Sequence, residues 1–205
     1  MANTSTDDER DAIDMLMEDH KRVHKLFKQF EGIDRTDHDA LTELVEIACV
    51  ELQIHSMLEE ELFYPAVRAH TREHDEDSQD LLNEAEVEHE SIEELIGKLQ
   101  ELEADDAMYC AYFSVLSEYV KHHVREEEKE LFPKVKKMPA LDLRQLAEDM
   151  RLRREELFAE IEESDEELED ESSVSETDDA VAAEIDPEDE SEDAHEQIDI
   201  SRTRH

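Results

Sequence analysis

Apolar side chains recur every three or four residues along much of the chain, which is the pattern of amphipathic helices. In the first such stretch, Ile13, Leu16, Val23 and Phe27 fall on one side of a helix. Four stretches of this kind occur, at about 9–31, 37–69, 79–103 and 108–137. Short polar connections between helices favour antiparallel neighbours. The pattern therefore predicts an all-α protein in which residues 9–137 form an up-down-up-down four-helix bundle.

Outside the predicted bundle the sequence contains three further segments. Residues 1–8 are predicted to be a flexible N-terminus, and residues 138–162 carry apolar side chains at the spacing of an additional helix. Residues 163–205 are acidic, rich in serine and poor in large apolar side chains. Such a segment cannot bury enough surface to offset its ordering entropy, so we predict a disordered acidic tail. Its residues do not identify a protein partner.

The composition agrees with a helical protein and narrows the classes of partner. The 205 residues include 2 glycines, which leaves little material for hairpins and tight turns. The formal net charge of −42 argues against nucleic acid and anionic membranes as partners, because both attract clustered lysine and arginine. No apolar run approaches the roughly 18 residues of a membrane span, and the N-terminus is unlike a secretory signal. We therefore expect a cytoplasmic protein.

Candidate chemistry begins with a repeated sequence. HSMLEEELFYP at 55–65 is nearly repeated as HVREEEKELFP at 123–133, and each copy has a glutamate four residues after its histidine. Two further histidines, His20 and His89, complete a series of four with spacings of 35, 34 and 34 residues. Since helices rise about 1.5 Å per residue, the chain travels out and back by similar lengths between successive histidines. All four imidazoles can therefore lie near one cross-section of the bundle.

Six polar groups buried at one level would be costly without a partner, and a pair of metal ions supplies one. The two glutamates of the repeats can bridge the ions, while the imidazoles provide two nitrogen ligands to each. With one oxo or hydroxo bridge, two six-coordinate metals would keep two open positions for a small ligand. Mixed imidazole and carboxylate ligands suit iron, with manganese or zinc as alternatives. The ferritin-type Glu-x-x-His signature should occur twice, but it appears convincingly once, as Glu86–His89.

These motifs, in their order along the chain, resemble the hemerythrin-like HHE cation-binding family. The segments that carry the resemblance are EDHKRVHKLFKQFE at 18–31, HSMLEEELFYPAV at 55–67, EAEVEHESIEELI at 84–96 and YVKHHVREEEKELFP at 119–133. The resemblance covers about 10–137 and implies a hemerythrin-like four-helix bundle around a non-haem di-iron centre that binds dioxygen or related small oxidants. The metal ligands that it implies are His20, His55, Glu59, His89, His123 and Glu127.

One departure from the family pattern leaves the ligand set open. The best-known hemerythrins use five histidines, with a His-x-x-x-His on the third helix. Here the third helix has His89 followed by Glu93, whereas His24 follows His20 on the first helix. Either His24 or Glu93 is therefore a candidate for an additional ligand. The number of ligands controls how many metal positions stay open, so this difference affects whether dioxygen is carried or reacts.

Three functional hypotheses follow. The leading one is a di-iron protein that binds dioxygen, peroxide or nitric oxide for sensing, storage or detoxification. The second is an enzyme that consumes peroxide in a catalase- or peroxidase-like manner, so whether the chain is an enzyme is left open. The third is an iron-responsive interaction protein whose acidic tail recruits a partner.

Overall fold

The computed structural model describes residues 10–71 and 75–174, with the backbone alone for 162 and 164–174. Every regular element in this part of the chain is a helix, which confirms the predicted all-α class. The α-helices are α1 (Ala12–Phe30), α2 (His38–Leu58), α3 (Tyr64–His70), α4 (Glu76–Gln100), α5 (Tyr109–Glu126), α6 (Phe132–Val135) and α7 (Leu143–Val174). The chain divides after Glu163 into two units, and the bundle with its site belongs to the first. The predicted flexible N-terminus, 1–8, lies outside the described residues.

Four long helices form the predicted bundle. α1 packs against α2 and α5, and α4 packs against the same two helices. Each bundle helix therefore has two bundle neighbours, and the four enclose a common interior. Both α2 and α5 continue through a short widened turn into a second helical piece, α3 and α6.

Acidic side chains set the starts of three bundle helices. Asp11, Asp37 and Asp75 each accept a hydrogen bond from a backbone N–H in the first turn of α1, α2 and α4. Such caps satisfy donors that have no partner within the helix. The cap at Asp37 agrees with the predicted start of the second helix near 37. The cap at Asp75 starts α4 at Glu76, so the predicted start near 79 is too late.

The second and fourth bundle helices each contain a π-helical turn, at Glu59–Phe63 and Glu127–Leu131. Two residues after each turn comes a proline, Pro65 or Pro133. In a regular α-helix the proline ring would meet the carbonyl four residues earlier. The π turn redirects the local hydrogen bonds to the fifth residue and accommodates the ring. The second bundle helix thus continues past Pro65 because the π turn precedes the proline. Both π turns begin at a predicted bridging glutamate.

The apolar core lies on both sides of the level of the four histidines. On α1, His20 stands between Leu16, which belongs to one buried cluster, and Val23, which belongs to the other. The same alternation occurs on α2, where His55 stands between Leu58 and Leu52. A polar layer between two apolar clusters is shielded from water, so its groups must be satisfied from within.

The fifth long helix, α7, packs its first part onto one of these clusters. Its buried contributions are Leu146, Ala147, Met150 and Leu157. Asp142 accepts hydrogen bonds from the N–H groups of Arg144 and Gln145, so α7 begins at Leu143 rather than near Pro139 as predicted.

The predicted end of the additional helix near Glu162 is also wrong, because the α7 backbone is helical to Val174. Glutamate, which is a good helix former, occurs five times in 163–174 and favours continuation of the helix despite its few apolar residues. Residues 175–205 of the predicted disordered tail lie outside the described residues. None of the described helices combines the length and the apolar content that a membrane span requires.

Candidate metal centre

The structure brings together all six side chains that the sequence identified as metal ligands. His20, His55, His89 and His123 come from α1, α2, α4 and α5, and Glu59 and Glu127 open the two π turns. All six are buried, with exposed fractions of 5% or less. The Nε2 atoms of the imidazoles and the Oε2 atoms of the carboxylates meet in the interior between the two apolar clusters.

The ligand atoms fall into two overlapping groups. In each group the nitrogen and oxygen atoms lie within 4.8 Å of one another, and Glu59 belongs to both. We call His20 and His55 the α1/α2 half of the centre, and His89 and His123 the α4/α5 half. In the second half the two Nε2 atoms are 3.1 Å apart. Two nitrogen ligands about 2.0–2.1 Å from one ion, at roughly a right angle, would have this separation.

Each glutamate reaches an imidazole of both halves. Glu59 Oε2 lies 3.2 Å from His55 Nε2 and 3.4 Å from His89 Nε2. Glu127 Oε2 lies 3.2 Å from His20 Nε2 and 3.5 Å from His123 Nε2. Carboxylates in these positions can bridge two ions and reduce the repulsion between them.

Several of these buried atoms have no hydrogen-bond partner among the described residues. They are Nε2 of His20, Nε2 of His55, Oε1 of Glu59 and Oε2 of Glu127. A buried polar atom without a partner is costly, and the great majority in folded proteins are satisfied. Imidazole nitrogen and carboxylate oxygen are the ligand atoms that iron, manganese and zinc accept. The residues present therefore fit a pair of divalent or trivalent cations.

A second layer of carboxylates orients the imidazoles. Each histidine has its Nδ1 atom beside a carboxylate from a neighbouring helix, at 3.5 Å for Asp19 and His55, 2.8 Å for Glu60 and His89, 3.0 Å for Glu88 and His123, and 3.1 Å for Glu128 and His20. We call these four acids the outer carboxylates. Since an ionised carboxylate can only accept, Nδ1–H is the donor and the Nε2 lone pair faces the interior.

The outer carboxylates follow one rule around the bundle. Each is the sequence neighbour of an inner residue, and each supports the histidine of the next helix in the order α1, α2, α4, α5 and back to α1. Two of them, Glu60 and Glu128, directly follow the predicted bridging residues Glu59 and Glu127. The structure adds Asp19 and Glu88, which directly precede His20 and His89.

The titration behaviour of the inner groups shows how strongly their charges interact. Burial favours the neutral form of Glu59, but attraction to the nearby imidazoles of His55, His123 and His89 outweighs it and holds the pKa of Glu59 well below its usual range. Burial alone would lower the pKa of His123, yet the neighbouring Glu127 and Glu59 raise it well above its usual value. The two buried carboxylates thus stabilise positive charge in the interior. Without metal, protons on the imidazoles supply this charge, and a bound cation would replace them.

Tyr64 also lies in the centre, although it is not one of the predicted ligands. Its hydroxyl donates to Glu127 Oε1 at 3.0 Å and lies 3.3 Å from Glu59 Oε2 and 3.4 Å from His89 Nε2. Burial, together with the charges of Glu127 and Glu59, raises the pKa of Tyr64 well above its usual value, so the hydroxyl keeps its proton. In a regular α-helix Tyr64 would be rotated by about 140° from Glu59, but the π turn brings both side chains inward.

The two additional ligand candidates stand apart from the centre. His24 and Glu93 are exposed and belong to neither ligand group. His122, which precedes His123, forms a separate surface cluster with Glu88 and Glu126. Arg125 donates to His122 Nδ1 at 2.6 Å, and His122 Nε2 lies 3.4 Å from Glu88 Oε1 and 3.3 Å from Glu126 Oε1. This cluster lies on the surface, outside the two groups of inner ligand atoms.

A ring of imidazoles bridged by two carboxylates inside four helices defines a histidine–carboxylate metal-binding bundle. The model of the hemerythrin HHE cation binding domain matches residues 11–135, and the chain belongs to that family. A crystal structure of a hemerythrin HHE cation binding domain-containing protein from Mycobacterium kansasii is similar, with a TM-score of 0.58 and 23% identity over 72% of this chain and 87% of that one. At this identity the likeness concerns the fold. No curated protein matches the sequence significantly.

Proposed function

We propose that this chain is a non-haem di-iron protein that binds dioxygen or a related small oxidant. The observation that carries the proposal is the convergence of four unpartnered buried ligand atoms between two apolar clusters. His20 and His55 would hold one iron, His89 and His123 the other, and Glu59 and Glu127 would bridge them. Two iron ions with an oxo or hydroxo bridge supply open positions and redox chemistry for dioxygen, peroxide or nitric oxide.

The surroundings of the centre favour a very small ligand. A cavity of about 10 Å³ adjoins the four histidines on the side of Val23, Leu52, Ile92 and Val120. This is room for about one water-sized molecule. Its largely apolar wall suits an uncharged diatomic molecule or peroxide better than a larger organic substrate. The outer carboxylates hold the imidazoles in place, so the chain supplies a preset arrangement for such a ligand.

The test is metal analysis of the full chain purified from cells supplied with iron. We expect two iron ions per chain and the near-ultraviolet absorption of an oxo bridge. After anaerobic reduction, admission of dioxygen should change the spectrum. A chain that contains no stoichiometric iron and lacks this absorption contradicts the proposal. Stoichiometric manganese or zinc in place of iron would reject iron while leaving the metal centre intact.

A second candidate, a peroxide-consuming enzyme, is favoured by Tyr64. Its hydroxyl is a protonated donor beside both bridging glutamates, where it can donate a hydrogen bond to a small oxidant. If turnover of peroxide is the function, Tyr64→Phe should lower oxygen release from peroxide by about 100-fold at unchanged iron content. Tyr119→Phe, at an exposed tyrosine, is the control and should retain activity. Absence of peroxide turnover by the iron-loaded wild-type chain would rule this candidate out.

A further inference from the structure

One outer carboxylate differs from the other three in what holds it. Asp19 is 2% exposed, whereas the side chains of Glu60, Glu88 and Glu128 are 47%, 20% and 35% exposed. Asp19 also forms a hydrogen-bonded ion pair with Arg154, a residue of α7 that lies 135 positions later in the chain. One guanidinium nitrogen donates to Oδ1 at 2.9 Å and the other donates to Oδ2. The fifth helix thereby contacts the metal centre through Asp19.

This contact matters because a buried carboxylate needs a compensating charge. A two-pronged guanidinium contact also fixes the plane of the carboxylate, which a single-point lysine contact would not. Arg22 donates to Oδ1 of Asp19 as well, but about half of its side chain is exposed to solvent. Arg154, at 17% exposure, is the more enclosed of the two partners.

We propose that Arg154 is a positioning residue of the metal centre, which acts through Asp19 on His55. According to this proposal, α7 supports a metal ligand through Arg154 in addition to packing on the apolar cluster. The proposal rests on the proposed metal-binding function. It assigns to Arg154 the task of fixing the orientation of Asp19, so that Asp19 accepts from Nδ1–H of His55 and the Nε2 lone pair of His55 faces the ion.

The expected consequence is confined to one half of the centre. His55 belongs to the α1/α2 half, and the imidazoles of the α4/α5 half are supported by Glu60 and Glu88 instead. Loss of the Arg154 contact should therefore weaken retention of one ion and leave the other nearly unchanged. A general loss of folding stability would affect both ions alike.

Arg153 provides a matched control on the same helix. It also makes a two-pronged ion pair with the bundle, from Nε to Glu61 Oε2 at 2.6 Å and from Nη2 to Glu61 Oε1 at 3.1 Å. Glu61 is not an outer carboxylate and contacts none of the four histidines in the described structure. Arg153→Gln therefore removes the same chemical group and a similar interhelical ion pair without touching the chain from Asp19 to His55.

The test uses the full chain loaded with Co²⁺, whose visible bands report its ligands. Release of the metal to excess EDTA is followed in time for wild type, Arg154→Gln and Arg153→Gln. In Arg154→Gln we expect one of two Co²⁺ equivalents to leave about tenfold faster, with a change in its visible bands, while the second leaves at the wild-type rate. Arg153→Gln should match wild type in both rates, and Asp19→Asn combined with Arg154→Gln should release metal no faster than Asp19→Asn alone.

The outcomes separate this proposal from the one on which it rests. A wild-type chain that takes up no Co²⁺ overturns the proposed metal centre, and the role of Arg154 falls with it. A wild-type chain that holds two equivalents, with identical release from Arg154→Gln and Arg153→Gln, overturns the role of Arg154 alone. If Arg154→Gln fails to fold, Arg154→Lys and Arg153→Lys replace the pair, because lysine keeps the charge but loses the two-pronged contact. Faster loss of one equivalent only in Arg154→Lys then supports the proposal, and equal rates overturn it.

Discussion

The two halves of the centre share one plan but differ in how firmly their surroundings hold them. In both halves a pair of imidazoles faces the bridging glutamates, and a carboxylate from a neighbouring helix supports each ring. In the α1/α2 half the support of His55 is buried and continues outward to Arg154 of α7. In the α4/α5 half, the support of His89 is Glu60, about half of which is exposed to water.

A groove adds to this difference. A cavity of about 360 Å³ opens beside the α4/α5 half, with Glu60, Glu61, Glu93 and His89 in its wall. Water and small ions can therefore approach His89 from outside, whereas α7 shields the support of His55. Equivalent inner side chains therefore need not give equivalent metal sites. We expect differences in metal retention to follow from the layer outside the ligands, where a carboxylate is buried or can exchange its partner for water.

The largest effect should come from a residue that serves both halves. Glu59→Ala removes a carboxylate that belongs to both ligand groups, so we expect loss of both metals and not of one. Glu127→Ala should act similarly, since its Oε2 reaches His20 and His123. Because bound metal would stabilise the folded state, each variant should lose about 2.7 kcal/mol of stabilisation for each metal lost when free metal exceeds the dissociation constant a hundredfold. Melting curves with and without metal measure this loss.

The control for these bridging variants is His38→Ala, at an exposed position near the start of α2. It should bind both metals and melt at the wild-type temperature. If Glu59→Ala, Glu127→Ala and His38→Ala melt alike in the presence of metal, the bridging role is refuted. Retention of one metal by Glu59→Ala would instead show that the halves are more independent than the shared carboxylate implies.

A smaller effect should follow from breaking one half alone. His123→Ala removes an imidazole of the α4/α5 half and should reduce the metal content to one ion per chain, with the α1/α2 half still loaded. His122→Ala changes the neighbouring residue, but His122 is half-exposed and belongs to the surface cluster with Glu88 and Glu126. Both metals should therefore remain in this variant. Metal stoichiometry after gel filtration measures both variants. Equal metal content in the two would show that His123 is not a ligand.

The fold and the convergence of the six inner side chains could be predicted because their signals are local. The apolar period marks the helices, and a histidine four residues before a glutamate places both on one helical face. The even spacing of His20, His55, His89 and His123 then brings them to one level. These relations depend on helix geometry alone, and the structure reproduces the convergence.

The parts that sequence reasoning missed depend on context beyond one helical face. Tyr64 lies five residues after Glu59, off the face predicted for a regular helix, and enters the centre only through the π turn before Pro65. The pair of Asp19 and Arg154 joins residues 135 positions apart, with no repeating pattern to connect them. The extension of α7 to Val174 could not be predicted from apolar periodicity, because residues 163–174 have few apolar side chains. Their helix propensity is the remaining local signal.

The smallest expected effect is a difference in metal affinity between variants of two outer carboxylates. Asp19 supports the α1/α2 half and Glu60 supports the α4/α5 half. Asp19→Asn leaves a carbonyl that can still accept from His55, but it removes the charge that Arg154 and His55 face in a buried setting, and water cannot replace it. We expect about a tenfold loss of affinity for one metal. Glu60→Gln makes the same chemical change at a half-exposed site, where water can take over the contact with Nδ1 of His89, so its loss should fall well below that. Competition between each variant and a calibrated chelator gives both affinities under one condition. A loss for Glu60→Gln that equals or exceeds that for Asp19→Asn would show that burial of the outer carboxylate does not set metal retention.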